Sequence, residues 1–175
     1  PKLLSLGKKV IDLSADYRIL NPDVYKKFYK LTHQDKANLK NAVYGLPELN
    51  RARIKTAKLI ANPGCYPTSA ILGLAPLLAA DFVDTDSIII DAKSGVSGAG
   101  KKLEKEYLFS EIDGDFRAYK VNVHQHAPEI NQLLTKLSGE RIFVTFVPHL
   151  LPIERGILST IYLKKAPKAK LNAKN

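Results

Sequence analysis

The chain has 175 residues, of which 45% are hydrophobic, so it is long enough to bury the core of one large or two small domains. No apolar run reaches the roughly 18 residues of a membrane span, and we expect no membrane partner. The net charge of +10 is typical of nucleic-acid-binding proteins. However, the lysines are scattered, and no recognition motif for nucleic acid accompanies them, so we expect no such partner.

Cys65 is the only cysteine, which excludes an internal disulfide and suits a reducing compartment. No signal peptide is recognisable, and we expect a cytoplasmic protein. The chain contains no methionine and opens with Pro1, which indicates that residue 1 is not a native start. We therefore expect a piece of a longer protein, ending in a basic tail or cut edge over residues 166–175.

The first third of the chain alternates short strands with helices. The predicted elements are a strand at Lys9–Leu13, a helix from Asn21, a turn-rich loop over 42–48, a basic helix over 49–55 and a strand over 58–61. Asn21 is the expected N-cap of its helix, because Pro22 follows at the first helical position. This order predicts part of a parallel sheet. No G-x-G-x-x-G turn for dinucleotide phosphates lies in this part.

Cys65 lies where the last of these strands gives way to a helix. Asn62, Pro63 and Gly64 form a turn that ends the strand, and Pro67 suits the first turn of the helix. At a helix N-terminus, unpaired N–H groups and the helix dipole favour a thiolate, which makes Cys65 a candidate nucleophile. The alternative is a small buried hydrophobic residue, the commoner role of a lone cysteine.

Strands dominate the rest of the chain. The predicted elements are a strand at Asp86–Ala92, a Gly/Ser-rich loop over 94–100, a helix at Leu103–Ile112 and strands at Phe116–Val123, Arg141–Val147 and Ile157–Leu163. The backbone N–H groups of the Gly/Ser-rich loop can approach an anion, but flexible connections have the same composition. Several strands with few helices predict a mostly antiparallel sheet with helices on one face.

Two histidines, His124 and His126, follow the first of those last three strands, and Pro128 opens a helix with Glu129 in its first turn. In an extended segment both histidines would project to the same face. They suit metal ligation, although further ligands are not evident nearby, or a surface position at a strand end. The third reading is acid–base work on a substrate held against Cys65.

Five segments resemble the N-acetyl-γ-glutamyl-phosphate reductase family of arginine biosynthesis, and they occur in the family's order. The segments are Asp12–Arg18, Tyr44–Glu48, Asn62–Thr68, Ser94–Gly100 and His124–Ile130. Pro148–Leu150, with Arg155 and Gly156 after it, is also family-like. In two places the chain departs from the family: Ser69 replaces Gly or Ala, which should be tolerated, and Gln125 replaces an Arg, which should alter anion contacts.

The resemblance implies an α/β (α+β) fold in two parts. Residues 1–63 would be part of an NADP-binding, Rossmann-type parallel sheet. Residues 64–165 would be a catalytic and dimerisation domain like the C-terminal domain of glyceraldehyde-3-phosphate dehydrogenase. The family's chains begin with a Gly-rich turn and continue past the last strand predicted here, so cofactor binding should be absent or weakened in this chain alone.

The implied reaction is the NADPH-dependent reduction of N-acetyl-glutamyl 5-phosphate to the semialdehyde through a cysteine thioester, by a homo-oligomer (dimer or tetramer) acting on a small molecule. Two enzymes of the same chemistry are alternatives, aspartate-semialdehyde dehydrogenase and the lysine-pathway reductase. A non-catalytic module that only dimerises is the alternative from another class.

The resemblance also assigns roles to individual residues. Cys65 would attack the acyl phosphate, and His124 would be the base that handles the proton of the hemiacetal oxygen. The other substrate-binding residues would be His126, Glu129, Ser94, Gly95, Arg18 and Arg155. The cofactor-binding residues would be Ser14, Asn62, Pro63, Ser97 and Gly98, and no metal site is implied.

Overall fold

The computed structural model describes residues 1–100 and 104–169. The chain divides into two compact units, Pro1–Thr68 and Ser69–Asn175. Leu103, the predicted start of a helix, and most of the expected basic tail lie outside the described residues. No helix within the described ranges is long and apolar enough to cross a membrane.

The first unit contains a three-stranded parallel sheet. Its elements are α1 (Lys2–Ser5), β1 (Val10–Asp12), α2 (Pro22–Tyr29), α3 (Lys36–Leu39), β2 (Val43–Tyr44), α4 (Pro47–Thr56) and β3 (Leu59–Ala61). The strand order is β1-β3-β2, and both pairings are parallel, as predicted. The expected loop over 42–48 is wrong in part, because β2 pairs with β3 there and α4 begins at Pro47. Two residues are too few to show a strand pattern in the sequence.

Helix α2 confirms the capping prediction. The Asn21 side chain accepts hydrogen bonds from the backbone N–H groups of Asp23 at 2.9 Å and Val24 at 3.3 Å. Tyr25 is buried, and its hydroxyl donates to Asp16 at 2.6 Å. This contact ties α2 to the loop that follows β1.

The second unit contains a four-stranded mixed sheet. Its elements are α5 (Cys65–Ala79, which begins in the first unit), β4 (Ile89–Gly95), α6 (Phe109–Ile112), β5 (Arg117–Ala118), α7 (Ala127–Ser138), β6 (Thr145–Leu151) and β7 (Ile157–Tyr162). The order is β5-β6-β4-β7. Strands β4 and β6 are parallel, whereas β5–β6 and β4–β7 are antiparallel, so the mostly antiparallel prediction is confirmed.

One face of this sheet forms the core of the unit. Ile90 of β4 and Phe146 of β6 are 0% exposed, as are Ile130 and Leu134 of α7. Each such side chain stabilises the fold by roughly 1.5–3 kcal/mol through burial. Buried residues of α7 and of the two middle strands therefore contribute to this core, and α7 follows directly after the two histidines.

The opposite face carries a half-buried polar cluster. Asp91 Oδ2 forms an ion pair with Lys93 Nζ at 2.5 Å. The other carboxylate oxygen of Asp91 lies 3.1 Å from His149 Nδ1. These three side chains lie on neighbouring strands, because Lys93 is paired with His149 in the register of β4 and β6.

Two predicted elements differ from the structure near β4. The strand expected at Asp86–Ala92 begins at Ile89 instead, because residues 85–87 form a 3₁₀ turn whose N-cap, Asp84, accepts from the Asp86 N–H at 3.2 Å. The helix expected at Leu103–Ile112 is a 3₁₀ turn at Lys105–Tyr107 followed by α6.

The strand expected at Arg141–Val147 begins only at Thr145. Backbone N–H groups before it donate to side chains of α7 instead of to a neighbouring strand. Ile142 donates to Thr135 Oγ1 at 2.9 Å, and Val144 donates to Asn131 Oδ1 at 3.0 Å. The alternating apolar pattern is real, since Ile142 and Val144 are buried, but it reflects packing under α7.

Ser69, one of the two departures from the family, has a defined partner. Its hydroxyl donates to Ser159 Oγ of β7 at 2.8 Å, so it joins α5 to the sheet.

We expect Ser69→Ala to lower the free energy of unfolding by about 1 kcal/mol, measured by urea denaturation. Ser159→Ala should have a similar effect, and the double variant should cost clearly less than the sum. Additive losses would show that the two hydroxyls do not interact. Ser110→Ala, at an exposed position, is the control.

Candidate active site

Cys65 is the first residue of α5, and its side chain is exposed. Strand β3 ends at Ala61, and the turn 62–64 leads directly to the cysteine. The first turn of α5 closes on Gly64, whose carbonyl accepts from Thr68 N at 3.0 Å and from Thr68 Oγ1 at 2.9 Å. The strand–turn–helix prediction is confirmed, and the buried-cysteine alternative is wrong.

Arg18 is buried beneath the turn that carries the cysteine. Its Nε donates to the Asn62 carbonyl at 2.6 Å, and an Nη donates to the Leu13 carbonyl at 3.0 Å. The guanidinium group thus links the loops that follow β1 and β3. The contact of Arg18 with substrate, which the resemblance implies, stays a prediction.

Three of the residues assigned to the cofactor lie at the carboxyl edge of the parallel sheet. The Ser14 hydroxyl donates to the Asp12 carboxylate at 2.8 Å and accepts from Asp16 N at 3.1 Å. Asn62 N donates to the Asp12 carbonyl at 2.9 Å, and Pro63 follows it. In open α/β sheets this edge is where nucleotides bind, so these residues fit part of such a site.

The strand expected at Phe116–Val123 ends at Ala118. Lys120 and Asn122 have φ angles of 46° and 56°, in the left-handed region, which a strand cannot contain. The prediction that the two histidines share a face because they lie in an extended segment is therefore wrong. The two rings are nevertheless neighbours, with centroids 4.8 Å apart, since His126 N donates to His124 Nδ1 at 3.0 Å.

His124 is only 4% exposed, which excludes the reading of a surface residue at a strand end. The rings of Tyr119 and Phe146 meet it edge-on at centroid distances of 5.6 and 5.5 Å. Burial, together with the positive charge of Lys120, lowers the pKa of His124 to about 4. The ring is therefore neutral at pH 7. Because Nδ1 accepts a backbone hydrogen bond, the single ring proton lies on Nε2.

Glu129 follows in the first turn of α7 and is fully buried. His124, His126 and Glu129 thus belong to one turn–helix segment, as predicted. Across residues 1–100 and 104–169, no three His, Cys, Asp or Glu side chains are grouped so that they could hold a metal ion.

The Gly/Ser-rich segment is more ordered than a loop. Ser94 and Gly95 end β4, and residues 96–99 form a 3₁₀ turn. The N–H groups of Gly95, Val96 and Ser97 donate to carbonyls of residues 156, 153 and 154, at 3.0, 2.9 and 3.0 Å. For these three N–H groups the anion-binding interpretation is wrong, because the protein itself supplies their acceptors.

Close packing explains the two glycines assigned to the site. A Cβ on Gly95 would lie 2.8 Å from the backbone N of Arg155, and one on Gly98 would lie 2.8 Å from Ser94 Oγ. The structure therefore brings Ser94, Gly95, Gly98 and Arg155 together. The resemblance had assigned Ser94, Gly95 and Arg155 to one substrate site, but it did not indicate that Ile153 and Glu154 accept hydrogen bonds from the Gly/Ser-rich segment.

Two features near His124 were not predicted from the sequence. The first is the pair of rings, Tyr119 and Phe146, around His124. The second is a cavity of about 450 Å³ beside Tyr119, whose lining includes Arg117, Lys120, Glu104 and Glu106. The residues of both features come from separate segments of the chain, so no local sequence pattern indicates that they lie together. Asn122 was the one available signal for the turn, because Asn tolerates left-handed backbone.

Comparison with known proteins gives two family matches. Residues 65–174 match the semialdehyde dehydrogenase dimerisation domain, and residues 1–57 match the semialdehyde dehydrogenase NAD binding domain. Two curated N-acetyl-gamma-glutamyl-phosphate reductases, from Pelotomaculum thermopropionicum and Geobacter metallireducens, are each 56% identical to the chain. They align over 93% and 94% of it. Each alignment covers 47% of the relative, so the chain spans about half the length of the curated relatives it matches.

Solved structures share the fold. Aspartate semialdehyde dehydrogenase II from Vibrio cholerae has a TM-score of 0.59 at 19% identity, over 77% of this chain and 47% of that one. Aspartate semialdehyde dehydrogenase from Candida albicans, solved with NADP, has a TM-score of 0.56 at 14% identity, over 98% of this chain and 48% of that one. At such identities the likeness concerns the fold alone.

Proposed function

The chain belongs to the semialdehyde dehydrogenase family, and on that premise we propose that the whole protein reduces N-acetyl-glutamyl 5-phosphate to N-acetyl-glutamate 5-semialdehyde in arginine biosynthesis. The observation that carries the proposal is an exposed cysteine at the start of α5 in a chain 56% identical to reductases named for that substrate. Residues 1–63 would supply part of the cofactor domain, and residues 64–165 the catalytic and dimerisation domain.

Cys65 would act as the nucleophile. Its sulfur attacks the acyl carbon, the bond from that carbon to the phosphate oxygen breaks, and phosphate leaves with the electron pair. When bound, NADPH supplies the hydride that reduces the resulting thioester. The thiohemiacetal then collapses, the carbon–sulfur bond breaks, and its electrons return to Cys65 as the aldehyde is released.

His124 would stabilise the oxygen that gains charge in these steps. A neutral ring with its proton on Nε2 is a hydrogen-bond donor, and a donor aimed at a developing oxyanion stabilises the transition state. We therefore assign His124 the role of donor to this oxygen in place of the general base expected from the resemblance. The low pKa supports this role, because the ring stays neutral throughout the physiological range.

The carboxyl edge of the parallel sheet supports a nucleotide site. Ser14, Asn62 and Pro63 would contact one end of NADPH there, with Ser97 and Gly98 assigned to it by resemblance. His126, Glu129, Ser94, Gly95, Arg18 and Arg155 would bind or orient the substrate. The dimerisation-domain match supports a homo-oligomer, and the single cysteine suits a cytoplasmic location.

The substrate is tested with the full-length enzyme in the oxidative direction. We expect NADP reduction with N-acetyl-glutamate semialdehyde and phosphate to have a kcat/KM at least about 100-fold above that with aspartate semialdehyde. Omitting phosphate should stop turnover, because the acyl group then has no acceptor. Preference for aspartate semialdehyde, or for the N-carrier-linked aminoadipate semialdehyde, would replace the arginine-pathway substrate with that of a sister enzyme.

A further inference from the structure

The turn before His124 begins with an unusual backbone conformation. Asn122 has a φ of 56°, which asparagine tolerates better than most residues because its short polar side chain can hydrogen bond locally. In this turn, however, the side chain reaches a distant strand. The feature therefore calls for an explanation beyond turn propensity.

Asn122 is joined to Phe146 by two hydrogen bonds. Its backbone N–H donates to the Phe146 carbonyl at 3.0 Å, and its Oδ1 accepts from the Phe146 N–H at 2.8 Å. Regular pairing between β5 and β6 ends earlier, at Ala118 and His149. Asn122 thus attaches the turn to β6, with a side-chain oxygen in the place of a backbone carbonyl.

The same Phe146 forms one wall around His124. Its ring is 5.5 Å from the imidazole at an interplanar angle of 80°, and Phe146 is fully buried. A shift of Asn122 away from β6 would therefore carry His124, two residues later, away from this wall. It would also disturb the turn in which His126 N donates to His124 Nδ1.

We propose that Asn122 is a positioning residue for His124: its amide oxygen, bound to the Phe146 N–H, holds the turn that keeps the imidazole between Tyr119 and Phe146. The contribution to catalysis rests on the proposed function of His124, whereas the positioning itself does not. Asn122 itself makes no contact with substrate in this scheme.

Three substitutions separate the side-chain acceptor of Asn122 from its tolerance of left-handed backbone. Asn122→Asp keeps an acceptor oxygen and tolerates left-handed backbone. Asn122→Gly keeps the backbone freedom but has no acceptor, and Asn122→Ala lacks both. Asp81→Ala is the matched control, because Asp81 also has a left-handed φ, 53°, and is exposed two residues after the end of α5.

The first readout is steady-state kinetics of the full-length enzyme. We expect Asn122→Ala and Asn122→Gly to lower kcat by about 10- to 100-fold, with KM for NADPH unchanged. Asn122→Asp should stay within about threefold of wild type, and Asp81→Ala should equal it. If Asn122 acted only through its backbone conformation, Asn122→Gly would keep the wild-type kcat. That result would overturn the proposal.

The second readout is the ¹³C-labelled His124 ring resonance at about pH 5.5, identified by its loss in His124→Asn. Charged and titratable groups close to this ring include Lys120, His126 and Tyr119. In wild type and Asn122→Asp the ring should be neutral, since its pKa is about 4. In Asn122→Ala and Asn122→Gly it should be more than half protonated, as a freed imidazole with a pKa near 6.5 would be.

The two readouts distinguish the possible failures. A ring that stays neutral in both Ala and Gly variants would overturn the positioning role, whatever the kinetics. A protonated ring with unchanged kcat would support positioning and refute the catalytic role of His124. If Asn122→Ala fails to fold, Asn122→Gly and Asn122→Asp decide the question by the same criteria.

Discussion

In the full-length enzyme, Cys65→Ser is expected to lower kcat/KM for the acyl phosphate by at least about 10⁴-fold. A serine hydroxyl at this position is a far weaker nucleophile than a thiolate, and no neighbouring base is assigned to activate it. The side chain is exposed, so the substitution should leave folding unaffected. The measurement is steady-state kinetics with the thermal unfolding midpoint recorded beside it.

A trapping experiment gives the same prediction a direct readout. Wild-type enzyme incubated with the acyl phosphate and no NADPH should gain the mass of the acyl group on Cys65, and Cys65→Ser should gain none. Ser69→Ala, one turn further along α5, is the control, since its hydroxyl bonds to Ser159 of β7. Retained turnover in Cys65→Ser would remove the cysteine from the mechanism.

The second large effect is expected for His124→Asn, which should lower kcat by about 100-fold or more. The substitution removes the Nε2–H donor while keeping a polar side chain of smaller size. His126→Asn is the matched comparison and should cost less, because the His126 backbone N–H, which binds His124 Nδ1, is retained. If His126→Asn is the more damaging change, the donor has been assigned to the wrong histidine.

The same variant should change how stability depends on pH. The pKa of His124 is about 4 in the folded protein, because the ring is buried, and about 6.5 in the unfolded chain. Below pH 6.5 the unfolded state binds a proton at His124 that the folded state does not. The contribution of His124 to the free energy of unfolding is therefore complete above pH 6.5 and falls as the pH decreases towards 4. Between pH 7 and pH 5 this loss should be about 2 kcal/mol in wild type and absent in His124→Asn, measured by urea unfolding.

Features determined by adjacent residues were predicted well. The Asn21–Pro22 start of α2 and the placement of Cys65 at the start of α5 follow from backbone preferences of a few consecutive residues. The parallel sheet of the first unit followed from the order of strands and helices. The family resemblance, carried by short segments in a set order, is confirmed by the comparisons.

Features that depend on distant acceptors were not predictable in this way. The strand expected at Arg141–Val147 begins late because Thr135 and Asn131 take its first N–H groups. The N–H groups of the Gly/Ser-rich segment are satisfied by the carbonyls of residues 153–156. In both cases the residues have the expected local propensity, and a partner elsewhere in the chain decides the outcome.

By itself the sequence determined the chemistry available to this protein: one thiol after a Pro-Gly turn, a His-x-His segment before a helix, and the family to which they belong. Only the tertiary structure decided the state of those groups. The neutral imidazole of His124 depends on burial against Phe146, and its turn depends on Asn122, 24 residues away from its partner. Burial and hydrogen bonding shift a pKa through the surrounding atoms, and those atoms are assembled from distant segments only on folding.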